Sequence, residues 1–131
     1  MKKLIYPAVA LLLSTASFTA QAAEADLKKG EKVFKKCKSC HVVDKEKNKI
    51  GPHLVNLFGR KAGSLEGYKY SSAMKAKGEE GLVWDAESLD SYLTKPKDFV
   101  PKTKMAYPGL KKEKDRVNLI GYLEKATKPE G

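Results

Sequence analysis

Two thiols and an imidazole stand together at Cys37-Lys38-Ser39-Cys40-His41. A histidine directly after a Cys-x-x-Cys pair is the signature of covalent haem attachment, in which the thiols add to the two vinyl groups and the imidazole ligates iron. The spacing suits that chemistry. At a helix end, cysteines so placed reach both vinyl carbons while the next residue turns its ring under the porphyrin. The same residues are compatible with a disulfide or with half of a zinc site. With only 2 cysteines in the chain, thiolate-ligated zinc is disfavoured. A thiol-disulfide oxidoreductase built on Cys37 and Cys40 would need a thioredoxin-like β pattern, and the sequence lacks one.

The second axial ligand separates an electron carrier from a haem enzyme or gas sensor. Beyond Met1 the candidates are Met74, Met105 and His53. Met105 ends the run Pro101-Lys102-Thr103-Lys104-Met105 and lies between Pro101 and Pro108, a setting that can present a thioether rigidly. Met74 follows Ser71-Ser72-Ala73 in a short amphipathic turn and reads more simply as packing. His53 comes so soon after His41 that a short tether would have to carry it around the ring.

The elements that must position these groups read as helices and loops. Leu27, Gly30, Val33, Phe34 and Cys37 recur at helical spacing, which predicts a first helix from about Asp26 into the haem motif. Val117, Ile120 and Leu123 mark a final helix over about 112–126. Gly30 and Gly121 leave room on their faces, so the terminal helices are expected to cross near Gly30. Between them, Ser71 or Ser72 can cap a short helix that stops at Gly78, and Asp85 one that carries Leu89, Tyr92 and Leu93 and ends before Pro96. No alternating strand pattern appears. Segments 42–67 and 96–109 read as irregular loops rich in Gly, Pro and aromatic residues, suited to wrapping a cofactor. The expected class is all-α.

Lys2 and Lys3, the apolar run from Leu4 to Ala16 and the small-x-small site Ala20-Gln21-Ala22 predict a cleaved secretory signal over residues 1–22. An uncleaved membrane anchor is the alternative, although Pro7, Ser14, Thr15 and Ser17 interrupt a stretch already short of a full span. An oxidising, extracytoplasmic space, the periplasm, is expected either way. Removing residues 1–22 from the 131-residue chain leaves residues 23–131 as one small domain. The signal takes two lysines and no acid, so the formal net charge of +10 stays strongly positive after cleavage.

From Gly30 to Ala126 the chain resembles class I cytochrome c of the mitochondrial and closely related bacterial kind. Gly30 and Phe34 match the first-helix pair, Cys37, Cys40 and His41 the haem motif, Gly51-Pro52-His53-Leu54 the Gly-Pro-x-Leu loop, and Leu57-Phe58-Gly59-Arg60-Lys61 the segment after it. Gly67-Tyr68-Lys69-Tyr70-Ser71 resembles the next loop, Trp84 with Leu89, Tyr92 and Leu93 the family's tryptophan and following helix, and Pro96, Pro101, Thr103, Lys104 and Met105 the methionine loop. Arg116, Leu119, Ile120, Tyr122 and Leu123 match the terminal helix. Three departures stand out. Lys102 occupies a position where the animal proteins have glycine, Tyr107 one where they have phenylalanine, and Leu82-Val83 extends the loop before Trp84.

The resemblance implies the cytochrome c fold, about four to five helices with long loops around one haem c bound through Cys37 and Cys40. It implies His41 and Met105 as axial ligands and Arg60, Tyr70 and Trp84 as donors to the haem propionates. It also implies that the Pro52 carbonyl holds the His41 ring and that Tyr92 hydrogen-bonds the Met105 sulfur. Histidine and thioether together favour the ferrous state and leave no open position at iron. Lys35, Lys36 and Lys38 beside the haem motif, with Lys95, Lys97, Lys102 and Lys104 beside the methionine loop, would ring the haem edge and attract acidic redox proteins transiently. The expected function is a monomeric, diffusible one-electron carrier without a small-molecule substrate. It would run from a quinol-oxidising cytochrome complex to an oxidase or a photosynthetic reaction centre. A haem enzyme or gas sensor with a labile sixth ligand is the alternative, and the export signal disfavours nucleic acid as a partner.

Overall fold

The computed structural model describes residues 24–129; the expected signal, residues 1–22, lies outside them. Five helices follow in order: α1 (Leu27–Phe34), α2 (Ser72–Glu79), α3 (Ala86–Thr94), α4 (Pro96–Phe99) and α5 (Glu113–Ala126). The all-α expectation holds for the described residues. Their one strand-like feature is an antiparallel bridge between Lys61 and Val83, flanked by Ala62 N–H to the Leu82 carbonyl at 2.9 Å and Trp84 N–H to the Arg60 carbonyl at 2.9 Å. The Leu82-Val83 extension therefore pairs with the segment that carries Arg60 and fixes where Trp84 enters the core. None of these described helices is long and apolar enough to cross a membrane.

Local chemistry explains the helix starts. Asp26 caps α1 by accepting from Lys29 N–H at 3.0 Å, and Ser71 caps α2 by accepting from Met74 N–H at 3.1 Å. At α3, the Asp85 carboxylate accepts from Ser88 N–H at 2.8 Å while the Ser88 hydroxyl accepts from Asp85 N–H at 2.9 Å, a reciprocal capping box. α1 is shorter than its apolar spacing predicts. After Phe34 the chain tightens into three-residue turns, with Lys36 N–H on the Val33 carbonyl and Cys37 N–H on the Phe34 carbonyl. α4 falls inside a segment read as loop. It is too short to show a period, yet Pro96 sits in its first turn, where proline's missing N–H costs nothing.

α1 and α5 cross at Gly30. A Cβ there would stand 2.0 Å from the Asn118 carbonyl oxygen and 2.7 Å from Tyr122 Cβ, so only glycine lets the backbones approach this closely. Phe34 and Tyr122 pack beside the crossing with ring centroids 5.5 Å apart, and the buried Asn118 side chain accepts from Asp26 N–H at 2.9 Å. The core extends from this crossing through Leu119, Ile120 and Leu123 to Leu89, Tyr92, Leu93 and Trp84. Arg116, also buried, closes the far side: its Nε donates to Asp90 at 2.7 Å and its Nη1 to the Leu110 and Lys111 carbonyls, joining α3, α5 and the segment between them.

Candidate haem site

The turns after α1 place Cys37, Cys40 and His41 in one compact bend, with the N–H groups of Cys40 and His41 both donating to the Cys37 carbonyl, at 3.1 and 3.0 Å. The two cysteines are not joined to each other, as thioether attachment requires. Burial, with the Cys40 thiol beside it, pushes the Cys37 thiol up from its ordinary range. A redox-active Cys-x-x-Cys pair needs the opposite shift, toward thiolate.

His41 is oriented as an iron ligand must be. Its Nδ1 lies 2.7 Å from the Pro52 carbonyl oxygen, which can only accept, so Nδ1 carries the hydrogen and Nε2 keeps its lone pair. Burial lowers the His41 pKa and favours the neutral ring, which the Pro52 contact opposes only in part. The loop closes tightly over the imidazole: a Cβ on Gly51 would stand 2.5 Å from its Cε1 and 2.8 Å from its Nδ1. Gly51 is itself held by its N–H on the Cys40 carbonyl and by Lys49 N–H on its own carbonyl.

His53, one of the sequence candidates for the sixth ligand, is buried in that loop and serves it. Its Nδ1 accepts from Val55 N–H at 3.2 Å and its N–H donates to Asn48 Oδ1 at 2.9 Å. Met74 is buried in the core, as the packing reading expected. Met105 is half-buried against the same core, together with Cys37, Tyr70 and Tyr107.

Tyr92 differs from expectation. Its hydroxyl pairs with Thr103 Oγ1 at 2.8 Å and not with the Met105 sulfur, and Thr103 Oγ1 in turn accepts from Met105 N–H at 3.4 Å. The tyrosine thus positions the methionine through its backbone, because Thr103 is interposed. Sequence reasoning gave Thr103 no role of its own; its hydroxyl, two residues before the methionine, was the available signal.

Arg60 also does more than expected. Nη1 donates to the His53 carbonyl at 2.9 Å and Nη2 to the Val55 carbonyl, so part of the guanidinium ties down the loop that holds His41. The rest of its N–H donors face Tyr70, so guanidinium and phenol together can meet an anion. Trp84 is buried against Tyr92, ring centroids 5.2 Å apart.

The donor set fits a covalently tethered haem: two separate thiols, an imidazole with a free Nε2, a braced methionine, and cationic and phenolic donors beside one another. When bound, haem supplies a one-electron ferric/ferrous couple. Of the expected docking lysines all seven are exposed, but two are engaged locally. Lys95 Nζ lies 3.3 Å from Asp98, and Lys104 Nζ donates to the Lys69 carbonyl at 2.8 Å, latching the methionine loop to the Tyr70 loop.

Comparison with known proteins agrees with this geometry. A sequence model of the family described as cytochrome c matches residues 27–127. The chain is 53% identical over 108 residues to the cytochrome c of Gibberella zeae, covering 81% of this chain and 99% of that protein. It is 51% identical over 107 residues to the cytochrome c of Stellaria longipes, covering 80% and 96%. To the cytochrome c2 of Afifella marina it is 51% identical over 96 residues, covering 72% and 77%. With its haem c attached through Cys37 and Cys40, this chain is an electron carrier, not an enzyme, and belongs to the cytochrome c family.

Proposed function

We propose that the protein is an exported, periplasmic one-electron shuttle with His41 and Met105 as axial ligands. It takes electrons from a quinol-oxidising cytochrome complex and delivers them to a terminal oxidase or photosynthetic reaction centre. The observation that carries the ligand assignment is the paired bracing of the two side chains: Pro52 on His41 Nδ1, and Tyr92 through Thr103 on Met105. A ligand set braced on both sides changes little in geometry between oxidation states, which suits fast outer-sphere transfer. Export is supported by the basic and apolar pattern of residues 1–22.

Docking is electrostatic, through Lys35, Lys36, Lys38, Lys97 and Lys102, with Lys95 and Lys104 weaker contributors because of their local partners. Lys49, which sequence reasoning passed over, is exposed beside them but is engaged in the same way as Lys104: its Nζ donates to the Lys38 carbonyl at 3.1 Å. The partner is an acidic redox protein, and the complex is transient because screening and a small interface let it separate. Stopped-flow oxidation of the reduced protein by a purified oxidase tests this. The second-order rate should fall roughly tenfold or more from low to high ionic strength, and Lys38→Glu should flatten that dependence. A rate indifferent to salt would remove the docking claim.

A further inference from the structure

The loop that presents Met105 contains a residue in an unfavourable backbone conformation. Thr103 N–H donates to the Val100 carbonyl at 3.0 Å, closing a four-residue turn over Val100-Pro101-Lys102-Thr103. Proline at the second position fixes φ negative there, and Lys102 at the third has φ +61, the signature of a type II turn. That third position calls for glycine or asparagine, because a Cβ in the left-handed region crowds the following carbonyl. Among the described residues only two non-glycine residues have positive φ; the other is Asn56, of a type that tolerates it. Lys102 is exposed, so no packing of its side chain compensates.

The ends of the turn are rigid. Val100 is fully buried, and Thr103 is the hinge of the Tyr92–Thr103–Met105 chain of hydrogen bonds. Native placement of Met105 therefore holds Lys102 left-handed, while release of the loop lets it relax to negative φ. We propose that Lys102 is a positioning residue that weakens the hold of the loop on Met105, making the sixth iron position easier to open than it is with glycine at this turn. The inference rests on Met105 being the sixth ligand. It connects the electron-carrier reading to the labile-ligand alternative: the same loop that closes the iron carries the strain that loosens it.

Imidazole is the probe, because it occupies iron only when the methionine has left. Titration of the ferric haem protein with imidazole at neutral pH, followed by loss of the sulfur-to-iron absorption band, reads the opening equilibrium. Lys102→Gly should weaken apparent imidazole affinity about fivefold, equivalent to about 1 kcal/mol. Lys102→Asn, which also accepts positive φ, should weaken it in the same direction. Lys102→Ala removes the charge but keeps the Cβ and should leave affinity within about twofold of the parent, a shift of under about 0.5 kcal/mol. If Lys102→Gly binds imidazole as tightly as the parent, or if Lys102→Ala matches Lys102→Gly, backbone strain is not the cause and the inference falls. Absence of the sulfur band from the parent protein would overturn the ligand assignment and this inference with it. A band that is present with equal affinities overturns this inference alone.

Discussion

Gly51→Ala is expected to destabilise the haem protein by about 3 kcal/mol and to lower the fraction of low-spin, six-coordinate iron. The reason is local. The new Cβ would lie 2.5 Å from His41 Cε1, 2.8 Å from Nδ1 and 3.0 Å from Nε2, so it overlaps the ring edge along its length. Neither side can yield freely. The imidazole is tied to the Pro52 carbonyl at 2.7 Å and, with the proposed ligation, to iron as well; Gly51 is tied to Cys40 on one side and Lys49 on the other. Gly59 is the control. It has φ +89 and nothing within 4 Å of a built Cβ, so Gly59→Ala meets only the backbone penalty, about 1 kcal/mol, and should leave the spectrum unchanged. Denaturant midpoints and ferric spectra of both variants, measured together, separate crowding of the ligand from general loop damage. Equal spectra for parent and Gly51→Ala would mean that the loop does not govern the histidine.

Gly30→Ala should be comparably severe for stability while leaving the spectrum of the folded fraction intact. In an exposed helix this exchange favours folding by roughly 0.5–1 kcal/mol. Here the sign reverses, because the Cβ would stand 2.0 Å from the Asn118 carbonyl oxygen and 2.7 Å from its carbon, both main-chain atoms of α5. Separating the helices would strain the Asp26–Asn118 hydrogen bond and the Phe34–Tyr122 contact, so a loss of about 3 kcal/mol is expected. Guanidinium unfolding checks it: the midpoint should fall with an unchanged slope, as for a variant that alters native packing and not the unfolded chain. A midpoint at or above that of the parent would show that the crossing is looser than its geometry.

How far the sequence could be read depended on whether the signal was local. The haem motif, the Asp85 and Ser71 caps and the stripe of α5 are short-range patterns, and each is found where the residues predict it. The crossing at Gly30 was legible because a glycine on an otherwise apolar helical face leaves room for a second backbone, although spacing alone fits a merely tolerated core glycine equally well. α4 was missed because four residues carry no period. The pairing of Leu82 and Val83 with residues 60–62 was missed because a single bridge depends on chain direction and not on alternation. Within the site, residue types suggested the participants but not their wiring. Arg60 reaches back to the His53 and Val55 carbonyls, and Tyr92 meets Thr103, because backbone acceptors and a nearby hydroxyl are invisible to motif matching. Lys102 stood out in the sequence as a lysine in place of glycine and as a docking cation, and the backbone angle shows what its position demands.

Whether Met105 completes the coordination begun by His41 is read from the ferric absorption spectrum of the haem protein beside that of its Met105→Ala variant. Methionine ligation gives a low-spin parent with a weak sulfur-to-iron band at the red end, and a variant that lacks the band, turns high-spin and has a lower reduction potential. A parent without the band, indistinguishable from the variant, would contradict it and leave the iron open.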